Sequence, residues 1–226
     1  MKKLLIGLSA GVALLFGTVN TYAEDGLGIG IALSGAQIKA SGTETEGGET
    51  NNGKADNLIG VGSVFAEYTK GWLTFGIDYI PWDADVSDST KTRSDTETSV
   101  TGTKTETTTS RTQSAQAEMS DHLTAYIEVG NKAYIKAGVV QVTVNTQESL
   151  GTGSAYGNVD LDGTILGIGV RGDFGDNMFY KLEGTYTDYD SLNLTSTESR
   201  TGVTTNNKIS ADLDVTQIKL GLGVKF

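Results

Sequence analysis

The sequence predicts an all-β chain: a closed eight-stranded antiparallel up-and-down transmembrane β-barrel with a polar, filled interior and long extracellular hairpins. Three observations predict it. The composition is that of sheet, with 30 Gly against one Pro, nine Tyr and extended Thr-rich tracts. Period-2 alternation recurs in eight segments, near 26–40, 55–69, 72–86, 118–129, 133–147, 159–173, 178–193 and 208–226. The connections alternate in kind. Short ones fall at Thr69-Lys70-Gly71, Gly130-Asn131-Lys132 and Phe174-Gly175-Asp176-Asn177; long polar ones fall near 41–54, 87–117, 148–158 and 194–207. An even number of strands with short turns at one end and long loops at the other is the layout of a barrel that spans a bilayer with both termini on one side.

The N-terminus decides the compartment. Lys2 and Lys3 precede an apolar run from Leu4 to Val19, and Thr21-Tyr22-Ala23 follows. This reads as a Sec-type signal, residues 1–23, cleaved after Ala23, with the barrel over 24–226. The run is about 16 residues, short of the roughly 20 that a spanning helix needs, and no comparable run follows. Export without a helical anchor predicts the outer membrane of a Gram-negative cell. The formal net charge is -11, and removing two lysines with the signal makes it more negative, which excludes nucleic acid as a partner. The chain has no Cys. Disulfides, thiolate metal sites, Cys nucleophiles and a lipidated N-terminal Cys are therefore excluded.

The strand faces follow in order. In the third segment Leu73, Phe75, Ile77, Tyr79 and Pro81 share one face, opposite Thr74, Gly76 and Asp78. In the fourth, Leu123, Ala125, Ile127 and Val129 face outward, and in the sixth Leu166, Ile168 and Val170 do. The seventh sets Met178, Tyr180, Leu182, Gly184 and Tyr186 against Lys181, Glu183, Thr185 and Thr187. The last sets Ile218, Leu220, Leu222, Val224 and Phe226 against Gln217, Lys219, Gly221, Gly223 and Lys225. Nine residues at about 3.3 Å each, tilted about 40°, cover roughly 20–25 Å, the height of an apolar membrane band. The second and fifth segments are ambiguous, because Leu58-Ile59 and Val139-Val140 put apolar residues on both faces, and a bulge is one explanation. Aromatic girdles are expected at Tyr79, Trp82 and Tyr186 on the outer side, and at Phe174, Tyr180 and Phe226 on the periplasmic side.

Residues 87–117 hold eleven Thr and six Ser. Alternating Thr about Gly102 predicts a hairpin projecting beyond the membrane, with a disordered polar tract as the competing reading over 94–112. A shorter projection is expected to turn near Gly202.

The C-terminal stretch Lys219-Leu220-Gly221-Leu222-Gly223-Val224-Lys225-Phe226 carries the most specific resemblance. It is similar to the assembly signal of small eight-stranded outer-membrane barrels: the OmpA transmembrane domain, OmpX and the opacity-type surface proteins. The resemblance places that signal on Lys219, Gly221, Val224 and Phe226 and implies the barrel-assembly machinery as a partner. It carries fold and location, since barrels of this layout serve unrelated functions.

Three sets of residues carry candidate chemistry. Asp78, Tyr126, Glu128, Arg171, Lys181, Glu183 and Lys219, with Lys136 beside them, have lumen parity. They read as a mutually satisfied polar plug, or alternatively as the charged lining of a narrow pore. His122, the one His in the chain, shares lumen parity with Thr124 and Glu128. Lipid A deacylases on a similar scaffold use a His, a Ser and an acid, so a lipid A-modifying enzyme is a remote alternative. Four Asp-x-Asp pairs, Asp83/Asp85, Asp160/Asp162, Asp188/Asp190 and Asp212/Asp214, fall at the outer edge of the apolar band, as does Asp121. They are candidate ligands for Ca²⁺ or Mg²⁺ bridging to lipopolysaccharide phosphates, against the plainer reading of a polar collar. No other cofactor is expected.

The function expected from these features is that of a non-enzymatic integral outer-membrane protein in contact with lipid and lipopolysaccharide. Its surface hairpins would serve adhesion to a surface ligand or envelope integrity. A small porin-like channel is the alternative.

Overall fold

The computed structural model describes residues 25–46, 49–87, 91–101, 105–149, 155–197 and 206–226. The expected signal peptide and the turn near Gly202 lie outside them. Among the described residues there are eleven strands and no helix: β1 (Gly26–Glu46), β2 (Glu49–Lys70), β3 (Leu73–Ile80), β4 (Ala84–Asp85), β5 (Lys91–Thr101), β6 (Thr105–Gly130), β7 (Ala133–Ser149), β8 (Val159–Phe174), β9 (Met178–Tyr189), β10 (Leu192–Thr195) and β11 (Lys208–Lys225). Eight of them, in the order β1-β2-β3-β6-β7-β8-β9-β11, form an antiparallel wall. The wall closes where β1 pairs with β11, from Gly28↔Lys225 to Thr45↔Lys208. Closure pairs the first strand of the wall with the last, so neither stands as an open edge in lipid. β4 and β5 pair with β6, and β10 with β11, at the extracellular end.

The alternation dictates the faces. Leu33 is 74% exposed and Ile218 67%, whereas Thr74 and Glu128 are at 0%. Leu182 and Leu222 also point outward.

Three expectations are refined. The segment 41–54 is not a loop: β1 and β2 stay in register out to Glu46↔Glu49. The tract over 94–101 and 105–112 is a ladder, since β5 pairs with β6 from Lys91↔Ala115 to Thr101↔Thr105, and the expected turn near Gly102 lies outside the described residues. Thr-rich sequence sustains extended backbone above the membrane. The doublets in β2 and β7 mark no bulge, because Leu58 and Val139 face lipid while Ile59 and Val140 line an apolar upper lumen. The bulge lies in β6, where the register against β7 shifts between Ser120 and Leu123. Asp121 there has φ +52°, a left-handed conformation that Asp tolerates better than most residues. The extra residue inverts the phase, so Met119 and Thr124 both point inward despite opposite parity.

Candidate functional site

The periplasmic half of the lumen is filled by charge. Lys181 Nζ on β9 lies 2.7 Å from Glu67 of β2, 2.7 Å from Glu128 of β6 and 3.2 Å from Glu183. Lys136 on β7 reaches Glu183 at 3.0 Å, and Arg171 on β8 pairs with Glu128 and lies 3.7 Å from Glu67. Tyr134 donates to Glu183 at 2.7 Å and Tyr126 to Glu67 at 3.2 Å. Their rings carry Arg171 at 4.3 Å and Lys136 at 3.7 Å respectively. Both rings fit because they lie across glycines. A Cβ on Gly76 would stand 2.3 Å from Tyr126, and one on Gly169 2.4 Å from Tyr134. One layer outward, Asp78 accepts from Ser63 at 3.1 Å and meets Lys219 at 2.9 Å. Four acids thus face four bases in a buried, neutral plug, the arrangement under which buried charge is tolerable.

The structure brings together every expected member of this network: Asp78, Tyr126, Glu128, Arg171, Lys181, Glu183 and Lys219. The sequence reading missed Glu67 and Tyr134. Glu67 was legible from the run Ser63, Phe65, Glu67, Thr69 once Val64 and Tyr68 are set outward, but the Leu58-Ile59 doublet obscured that strand's phase.

Above the plug the lumen changes character. A cavity of about 50 Å³ is lined by Asp78, His122, Lys136, Thr185, Gln217 and Lys219 among other polar and apolar groups. Over it lies a septum of buried Ile38, Met119, Val140, Val142, Leu161, Tyr189 and Leu213. Above the septum, between the β1/β2 hairpin and β10/β11, opens a cavity of about 590 Å³ whose walls include Val86, Leu192, Leu194, Ile209 and Leu213. His122 shares a hydrogen bond of 2.9 Å with the Tyr189 hydroxyl. Glu128 is taken by Lys181 and Arg171, and Thr124 is buried inside the wall. These three residues form no triad facing lipid.

The wall itself has a discontinuity. The β2–β3 ladder ends at Val64↔Tyr79, yet β2 continues outward to Glu49. Ile80 ends β3, and Pro81, which has no N–H to donate, follows. Residues 55–63 of β2 therefore have a ladder with β1 on one side and none with β3 on the other, among the described residues. Higher up, Asn57 donates to the Asp85 carbonyl at 2.9 Å. Trp82 stands in the gap. Its ring would meet a Cβ on Gly62 at 3.0 Å, and the same residue lines the 50 Å³ cavity from the other side.

No protein-family model matches the chain, and no curated protein sequence does. Among solved structures, the outer membrane protein OprG from Pseudomonas aeruginosa is similar with a TM-score of 0.52 at 13% identity, over 90% of this chain and 97% of that one. The outer membrane protein AlkL gives 0.45 at 11% identity, over 93% and 95%. Ail, the attachment invasion locus protein of Yersinia pestis, gives 0.37 at 14%, over 86% and 99%. The chain has the outer-membrane β-barrel fold. Its apolar exterior is that of a barrel seated in a bilayer, with Tyr79, Trp82, Phe174, Tyr180 and Phe226 exposed at the rims.

On this barrel the Asp-x-Asp pairs lie at the extracellular rim. Asp188 and Asp214 stand opposite each other, and Lys39 is in register with Asp214. Asp160 accepts from Thr143 at 2.7 Å, Asp162 from Gln141 at 3.2 Å and Asp212 from Ser191 at 2.7 Å. The Asp190 amide donates to the Asp162 carbonyl. Across the barrel, Asp83 and Asp85 flank Glu118, whose carboxyl is pushed up by partial burial and then by those two charges. No three acids or His among the described residues are grouped to hold a metal ion. Lys219, Gly221 and Val224 lie on β11, the closing strand, and the Phe226 amide, just past it, donates to the Leu27 carbonyl at 2.8 Å.

Proposed function

We propose that this barrel is a non-enzymatic integral outer-membrane protein that captures a small apolar molecule at the cell surface and releases it sideways into the outer leaflet. The gap between β2 and β3 carries the reading. The route straight through is blocked by the ion plug, whereas the apolar cavity, the septum and the window at Trp82 succeed one another toward lipid, and a guest would pass by parting the septum. Transfer from water gains roughly 0.8 kcal/mol per buried CH₂. Lipid tails are as apolar as the septum, so release costs little. Insertion of the barrel would proceed through the signal at Lys219, Gly221, Val224 and Phe226.

A Cys pair at Asn57 and Asp85 would bridge the window, and the chain has no other Cys. Cells carrying the protein are expected to admit N-phenylnaphthylamine faster than cells lacking it. The oxidised Asn57→Cys/Asp85→Cys protein should lose that gain and recover it with reductant. Unchanged uptake with the bond closed would remove the sideways step.

A second reading, recognition of a surface ligand, is favoured by the β5/β6 hairpin. Its ladder of eleven pairs, Lys91↔Ala115 to Thr101↔Thr105, spans roughly 35 Å beyond β4.

A further inference from the structure

Inside the window the lumen is not apolar, and this bears on what the captured molecule looks like. Three polar atoms around the 50 Å³ cavity find no partner within the protein: Asp78 Oδ1, His122 Nδ1 and Thr185 Oγ1. Asp78 is 3% exposed and Thr185 5%. Their neighbouring valences are already assigned, Asp78 Oδ2 to Lys219 and Ser63, and His122 Nε2 to Tyr189. What remains is one acceptor, one hydroxyl and one imidazole nitrogen on side chains that line the same space as Trp82. Buried polar atoms in native proteins rarely stay without a partner.

Resting on the capture-and-release reading, we propose that the guest is a primary alcohol: an apolar body ending in a single hydroxyl that docks in this cavity. A hydroxyl both donates and accepts. Its proton goes to Asp78 Oδ1, while its oxygen accepts from Thr185 Oγ1. An alkane would leave all three atoms unpaired. Asp78 is already paired with Lys219, and Lys136 with Glu183, so a carboxylate or an alkylammonium would carry an uncompensated charge into this buried space. The cavity is too small for the guest as a whole but admits its hydroxymethyl end. The same space would also accommodate a few waters, each needing on the order of 10–15 Å³.

The chain contains two Trp, Trp72 and Trp82, so Trp72→Phe leaves Trp82 as the sole reporter beside the cavity. The refolded full chain is titrated with n-decane, 1-decanol and decanoate, and Trp82 emission is followed. Thr185→Val removes a hydroxyl that has no protein partner and leaves the side-chain shape unchanged, so the barrel stays intact on a heat-modifiability gel. It is expected to weaken 1-decanol about tenfold, a loss of one hydrogen bond, and to leave n-decane unchanged. Thr185→Ser should retain the alcohol. Comparing each ligand between variants cancels its partition into detergent. If Thr185→Val leaves 1-decanol unaffected, or decanoate binds as tightly as the alcohol, the hydroxyl site is wrong while apolar capture stands. If neither decane nor decanol binds, the capture reading falls with it.

Discussion

Lys181 holds the lower lumen together because three carboxylates, Glu67, Glu128 and Glu183, converge on one ammonium. Lys181→Met leaves an excess of buried negative charge and is expected to destabilise the barrel by about 3–5 kcal/mol. Denaturant unfolding in phospholipid vesicles measures this, and Lys181→Met/Glu128→Leu should recover part of the loss. At the bulge, Asp121→Val forces a β-branched residue into φ +52° and is expected to cost about 1–2 kcal/mol. Asp121→Gly keeps the conformation and gives up only the carboxylate that accepts from Tyr79 at 3.2 Å. The same unfolding assay separates the two variants. Parity alone exposed Asp78, Glu128, Lys181 and Lys219 as lumen residues. It did not reveal Asp121, because a left-handed turn within a strand has no signature beyond an Asp that also suits a polar rim.

The long strands are one element below the membrane and another above it. Within the bilayer, the wall strands are held by neighbours on both sides except at the window, where residues 55–63 of β2 have a ladder with β1 alone among the described residues. Above it, β5 is held by β6 alone among the described residues. Deleting 90–112 is therefore expected to leave a heat-modifiable barrel and to abolish any binding to a surface ligand; loss of folding would show that this hairpin supports the wall. The seam between β4 and β6 is sensitive to pH. Glu118 is raised by partial burial and by Asp83 and Asp85, so its carboxyl takes up a proton more readily in the folded chain than in the unfolded one. Stability at this seam thus increases as pH falls through the folded value towards the unfolded one and is lowest where all three acids are ionised. Glu118→Gln is expected to raise the unfolding midpoint at neutral pH and to change little in acid below both values. Element lengths were only partly legible in the sequence. The eight segments stood out, but 41–54 looked like a loop because polar residues on both faces erase the alternation that marks a half-buried strand.

For the whole molecule, a closed wall around a neutral plug predicts electrical silence. Planar-bilayer recording of the refolded protein should show no discrete stable openings. Lys181→Met/Glu128→Leu, which replaces an ion pair with apolar bulk, should stay equally silent. Stable openings in the unaltered protein would favour the small-channel reading instead. The likeness to OprG extends to the fold, while the plug, the septum and the window are read from this chain's own side chains. By itself the sequence determined the class, the strand count, the outward band and most of the lumen charges. Each of these follows from a period of two and from the cost of placing a polar group in lipid, which act on every residue locally. Only the tertiary structure decided that Glu67 completes the plug, that apolar doublets line an upper septum, and that β3 stops short of β2 with Trp82 in the space. Those outcomes depend on which residues meet across the lumen and on where two ladders end. Contacts between strands far apart in the chain set both, and no alternation along one strand records them.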